Sequence, residues 1–199
     1  MKSFIGLFAA PLIGFAMGFL FTRIVYFMAS NASPNINGFF KRGQFATGVA
    51  LAISHGANDA QKAMGVIVLS LVIGGFVTGF NVPFWVILVS AAGMGLGTLL
   101  AGWRLIRTIG GKFYKIRPVH SFSAQLTSTL VLLGSSLVGW PVSATQVISS
   151  ALIGVGASER FGKVRWGVAG DILTAWILTI PASALLSAGV YWLLLNIKV

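Results

Sequence analysis

Ser54-His55-Gly56-Ala57-Asn58-Asp59-Ala60-Gln61-Lys62-Ala63-Met64-Gly65 sets His55, Asn58, Asp59, Gln61 and Lys62 between two apolar runs, residues 45–53 and 63–73. Burying an ionised carboxylate or ammonium without partners costs several kcal/mol, so Asp59 and Lys62 require ligands, cations or each other. Function is sought there first.

The surroundings fix the class. The chain is 56% hydrophobic and only 9% charged, with a mean hydropathy of +0.91, against about 25% charged residues in soluble domains. It reads as an integral membrane protein. Its apolar segments reach the roughly 20 residues of a spanning helix, which excludes a barrel of short alternating strands, and the length allows about six of them. With no cysteine, disulfides and thiolate metal sites are excluded. A net charge of +11 would suggest nucleic acid in a soluble protein. Here the Lys and Arg residues fall mostly between apolar segments and mark topology, so no nucleic acid is expected.

The 25 glycines carry a second pattern. Gly6, Ala10, Gly14 and Gly18 form a small-residue stripe, as do Gly75 with Gly79 and Gly93 with Gly97, and close helix packing is the expected use.

Residues 4–28 form the first apolar segment, with Pro11 inside and Arg23 near its end. Lys2 before an apolar run resembles a signal peptide, but there is no small-residue cleavage site, and a retained span is expected. A polar link, residues 30–42, carries Lys41 and Arg42 and belongs on the cytoplasmic side; its Asn31-Ala32-Ser33 glycosylation match is read as chance. Residues 44–80 are too many for one straight span, and Gly56 and Asn58 are poor helix residues, so a broken or re-entrant helix is predicted there. After a turn at 81–83, residues 84–103 return with Trp85 and Trp103 as interfacial anchors.

Residues 104–117 hold five basic side chains and no acid, a cytoplasmic loop by the positive-inside rule. Residues 119–138 are a span whose Ser121, Gln125 and Ser128 share a polar face. Gly139-Trp140-Pro141 then breaks the chain, and a second helix starts near Val142. Ser143 lies at that start, where free N–H groups favour an anion or where Ser143 serves only as the cap. Arg160, Lys163 and Arg165 form another basic loop. With both basic loops on one side, the intervening chain must be a helical hairpin with its tip near Trp140. The last segment, residues 167–196, holds Pro181 and Asp171, which either pairs with a basic residue such as Arg165 or serves the site.

Two polar interruptions, Asn58 to Lys62 and Ser143 to Gln146, suit a site where an anion meets cations inside a membrane. Helix N-termini and hydroxyls hold oxyanion oxygens; a carboxylate and carbonyls hold a sodium ion or a proton. An enzyme is disfavoured. Asp59, Glu159 and Asp171 are the only acids and His55 and His120 the only histidines, without nucleophilic-triad or metal-ligand spacing.

Ser54 to Lys62, Pro141-Val142-Ser143-Ala144-Thr145 and Val164-Arg165-Trp166-Gly167-Val168-Ala169-Gly170 together resemble the inorganic phosphate transporter family, the Pit-type permeases, over nearly the whole chain and in its C-terminal half only. The resemblance implies an all-α polytopic transmembrane fold with broken helices and a re-entrant hairpin, residues 1–199 being a single domain and one of two inverted repeats. It implies a phosphate symporter of the cell membrane, in a prokaryote, with a coupling sodium ion or proton and no other cofactor. Asn58, Asp59, Ser143 and Thr145 are the implied ligands of phosphate and the coupling ion, a sodium ion included. Gln61, Lys62 and Gln146 are further candidates, and His55, Gln125, Ser128 and Asp171 additional ones. Three positions depart from the family: Ala144 for Thr, Gln146 for an often-found His, Gln125 for a common Glu. They leave the coupling ion open, and with it the choice between phosphate and sulfate. The expected partners are phosphate, the lipid bilayer, and either an N-terminal half or a second copy of the chain. The alternative is a membrane assembly subunit that transports nothing itself.

Overall fold

The computed structural model describes residues 2–30, 36–112 and 116–196. All its regular elements are helices: α1 (Lys2–Met28), α2 (Ile36–Ile73), α3 (Phe84–Lys112), α4 (Pro118–Val138), α5 (Ala144–Glu159) and α6 (Trp166–Asn196), with a 3-10 turn at Phe161–Lys163. Phe8–Met28, Pro118–Val138 and Trp166–Asn196 are long and apolar enough to cross a membrane, and Phe84–Leu100 is a shorter apolar helix. The chain is an all-helical membrane protein. It forms two compact units, residues 1–164 and 165–199; the second contains α6 alone, which runs unbroken through Pro181.

In the first unit α4 and α5 make the predicted hairpin. The break has a clear local cause. Gly139 takes φ 70°, its N–H donates to Ser136 O at 3.1 Å, and the N–H of Trp140 donates to Ser135 O at 2.9 Å, the paired bonds of a Schellman end. Pro141 follows, and α5 restarts with Ser143 as its cap residue. α2 ends by the same device, with Gly75 at φ 73° and Phe76 N–H bonded to Leu71 O at 2.9 Å.

The predicted break in residues 44–80 is not found: α2 is one helix of 38 residues. A lone Gly costs at most about 1 kcal/mol in a helix and Asn less, and Ala57 and Ala60 beside them are strong helix formers. At 1.5 Å per residue α2 reaches about 57 Å, well beyond a bilayer core of about 30 Å. Helix also continues through 104–112, where a loop was expected, and α2 already begins inside the expected 30–42 link. Arg, Leu and Lys propagate a helix readily, and positive charge alone does not end one. The Asn31 to Ser33 match, Lys115 and the side chains of Trp103, Arg104, Arg107 and Lys112 lie outside what is described.

α1 packs along α5, α2 along α4, and α3 along α2. The buried core joins α1, α4 and α5 through Ala10, Val131, Leu132, Val142, Ala144 and Val147. The α1 stripe packs as expected. A Cβ on Gly18 would lie 2.5 Å from Ala151 O, one on Gly14 2.6 Å from Ser150 Oγ, and one on Gly154 would overlap the Phe15 carbonyl oxygen. The other pairs do not pack this way. Gly75 and Gly79 serve positive φ, and an added Cβ on Gly93 or Gly97 would meet no neighbouring element within 4 Å among the described residues.

Candidate functional site

Because α2 stays helical, His55, Asn58, Asp59 and Lys62 stack at i, i+3, i+4 and i+7 on one side of it. Asp59 is the centre of this group. Its Oδ1 accepts from Lys62 Nζ at 3.0 Å and from Asn58 Nδ2 at 3.0 Å. Its Oδ2 lies 3.2 Å from His55 Nε2. That contact does not have the geometry of a hydrogen bond, and His55 Nε2 has no bonded partner among the described residues. Asn58 is buried, while Asp59 and Lys62 keep 28% and 42% of their side-chain exposure. The ion pair is therefore open to solvent at one end and dry at the other.

The dry end meets the hairpin tip. Val142 O accepts from Lys62 Nζ at 2.6 Å and from Asn58 Nδ2 at 3.3 Å. The reason lies in the restart of α5. The carbonyl of Ser143 takes the first helical bond, from Val147 N–H at 3.1 Å, so the carbonyl one residue earlier has no helical donor. A buried carbonyl without a donor costs about 1–3 kcal/mol, and α2 supplies two donors. Ser143 and Thr145 follow directly. Their hydroxyls lie 3.0 Å apart, and Ser143 makes no side-chain cap of its own helix. Both hydroxyls therefore keep capacity for a further partner beside the uncapped N–H groups of the first turn of α5. Gln146 Oε1 is buried with no hydrogen-bond partner.

Chemically this is a mixed site. Lys62, the two hydroxyls and the first-turn amides offer donors to an oxyanion; Asp59, Asn58 Oδ1 and Gln146 Oε1 offer oxygens to a small cation. The structure thus gathers His55, Asn58, Asp59 and Lys62 on one side of α2, and Asn58 and Lys62 join that group to the tip that carries Ser143, Thr145 and Gln146. Gln61 is exposed and outside the constellation. Gln125 is spent elsewhere, accepting from Thr47 Oγ1 at 2.7 Å, about three helical turns along α2 from Asn58. Ser128 is fully buried and its hydroxyl unbonded. Asp171 lies in the second unit and makes no ion pair among the described residues. Val142 was not anticipated. Pro141 beside a helix restart was the available signal, because such a break always leaves carbonyls to be satisfied.

The family model of the phosphate transporter family matches residues 27–187. The chain belongs to this family. Among its relatives, a protein of Bacillus subtilis strain 168 carrying the name "Probable low-affinity inorganic phosphate transporter" is 44% identical over 191 residues, covering 94% of this chain and 57% of its own length. A protein of the same name from Rhizobium meliloti strain 1021 is 40% identical over 185 residues, covering 92% of this chain and 55% of its own. A solved structure, "The sodium-dependent phosphate transporter", superposes with a TM-score of 0.72 at 25% identity, over 98% of this chain and 57% of that one. This family member thus spans little more than half the length of these relatives.

Proposed function

We propose that the chain carries inorganic phosphate across the cell membrane with a coupling sodium ion or proton, as one of two halves that together complete a transport site. The observation that carries this is the double hold of Asn58 and Lys62 on the Val142 carbonyl, which sets the Asp59 carboxylate beside a hairpin tip rich in donors. In this reading Ser143, Thr145 and Lys62 meet phosphate oxygens. Asp59, Asn58 and Gln146 hold the coupling ion. The name of the superposed structure favours sodium over the proton, and the names of the bacterial relatives favour phosphate over sulfate.

The site uses one face of α2 and one tip, which leaves the rest of a tetrahedral anion to be enclosed by something else. A partner half or a second copy of the chain fits the shortfall in length. The test is phosphate uptake into vesicles under an imposed sodium or proton gradient, with the chain alone and with a partner half. Uptake that survives both Asp59→Asn and Ser143→Ala removes the site assignment. Uptake absent in every combination, with the chain still binding a partner half, leaves the assembly subunit as the function.

A further inference from the structure

Away from the tip, the open end of the hairpin meets α1 in a second polar cluster. A cavity of about 480 Å³ lies there, lined by Arg23, Tyr26 and Phe27 of α1, Arg117 before α4, and Ser158 and Glu159 of α5. Its volume is in the range that takes a small ligand. Two guanidiniums face one carboxylate. Arg117 reaches Glu159 Oε1 at 3.7 Å, while Arg23 makes no ion pair among the described residues. The chain has only two other acids: Asp59, paired with Lys62 beside the tip, and Asp171, which pairs with no basic group among the described residues. Any further partner of Glu159 is therefore neutral or basic, and the cavity keeps an excess of positive charge.

We propose that this cavity binds the headgroup phosphate of an anionic phospholipid, and that the phosphate bridges Arg23 on α1 to Arg117 at the hairpin base. The donors are already set. The Arg23 guanidinium lies over the Phe19 ring at 5.6 Å, which uses its face and leaves its N–H edge for oxygen. The Arg117 backbone N–H donates to Nδ1 of the buried His120 at 3.2 Å, so the ring hydrogen is on Nε2, 2.7 Å from Tyr26 Oη. Tyr26 accepts there, and its own O–H remains to be given to an anion. Ser158 donates to Val155 O and adds no donor. Arg117 directly precedes α4, and Arg23 lies in the last two turns of α1, both helices being long and apolar enough to cross a membrane. The cavity thus sits at headgroup depth, on the side that the basic residues mark as cytoplasmic, where basic pockets between helices take anionic headgroups. From its mouth the exposed Leu20, Ile24 and Phe27 run along one face of α1 as a track for an acyl chain. Inorganic phosphate has no use for that track, and a zwitterionic headgroup would bring an ammonium into a field that is already positive.

The test is lipid binding to the full chain in detergent micelles, titrated with phosphatidylglycerol or phosphatidylcholine and read by native mass spectrometry. Phosphatidylglycerol is expected to bind about tenfold more tightly. Arg23 is exposed and touches only Phe19 among the printed side-chain contacts of α1 that involve it, so Arg23→Gln should fold, and it should weaken phosphatidylglycerol by about tenfold, the worth of one charge-assisted bond. Arg23→Lys should recover only part of the loss, because an ammonium keeps the charge and lacks the fork. Lys41→Gln with Arg42→Gln removes two charges at the same end of the bundle, where Gly43 packs on Phe122, and should leave binding within about twofold. Equal losses in that double variant and in Arg23→Gln would make the surface a diffuse basic one and overturn the proposal. Equal binding of the two lipids overturns it as well, and displacement of phosphatidylglycerol by inorganic phosphate would make free phosphate the ligand instead. No reading here depends on uptake or an ion gradient, so the outcome is separate from that of the transport assay.

Discussion

Along α1 the hairpin is held by shape: Gly14 and Gly18 lie against the backbone of α5, and Gly154 of α5 lies against the Phe15 carbonyl. Along α2, near the tip, it is held by charge, through Lys62 and Asn58 on one carbonyl oxygen. Glycine contacts are worth having only at one distance, since a small separation forfeits much of the dispersion energy. The ammonium and amide can turn from the Val142 oxygen to another oxygen without any change of packing distance. In the proposed function a phosphate oxygen takes that place. The difference assigns α1 and the hairpin to one rigid body and makes the α2 contact the exchangeable one.

Filling the glycine contact should produce the largest effect. Gly154→Val places carbon against a backbone carbonyl that cannot rotate away, and overpacking of this kind costs about 3 kcal/mol. Thermal unfolding in detergent should show a large fall in Tm with little folded protein recovered. A Tm equal to that of the unaltered chain would mean that the α1–α5 contact is loose and would erase the contrast with α2.

Lys62→Met should act differently. It leaves Asp59 and Val142 O each short of a donor, but Asp59 is partly solvated and Val142 O keeps the Asn58 amide, so the stability loss is about 1–2 kcal/mol. Phosphate binding should fall far more, by tenfold or greater. Combined with Asp59→Asn, the two changes should couple by about 0.5–1.5 kcal/mol, because they remove one shared pair. Ser143→Ala goes one step further in the same direction. Its hydroxyl caps nothing, so stability should stay within about 0.5 kcal/mol, while phosphate binding weakens by about tenfold, the worth of one charge-assisted bond. Equal losses of stability and binding would place Ser143 in the fold and not in the site.

The legible parts of the sequence were those with a local cause. Gly139 and Pro141 announce the hairpin break, and the small-residue stripe from Gly6 to Gly18 announces the α1 packing. Asn58, Asp59 and Lys62 stood out by being polar in the wrong place, and the structure does gather them on one side of α2. What misled was Gly56 with Asn58, because a helix tolerates each singly and the hydrogen bonds of Asn58 go to Asp59 and the tip and not to its own backbone. The role of Val142 and the meeting of Tyr26 with His120 depend on contacts across residues 84 and 94 positions apart, which no local pattern encodes.

The smallest expected effect separates the two sides of the hairpin most finely. Thr22 on α1 and Thr127 on α4 are both almost fully buried. Thr22 bonds back to Gly18 O at 2.8 Å, whereas the Thr127 hydroxyl, like those of Ser123 and Ser128, has no partner among the described residues. Replacing Thr by Val keeps the shape and deletes the hydroxyl. At Thr22 this removes a made hydrogen bond and should cost about 0.5–1 kcal/mol; at Thr127 it removes an unpaired buried group and should be neutral or stabilise by up to about 1 kcal/mol. Denaturation midpoints of the two variants should therefore move apart in opposite directions from the unaltered chain. If Thr127→Val destabilises as much as Thr22→Val, the α4 hydroxyls are satisfied by bound water, and the dry character of the packing would be confined to the α1–α5 side.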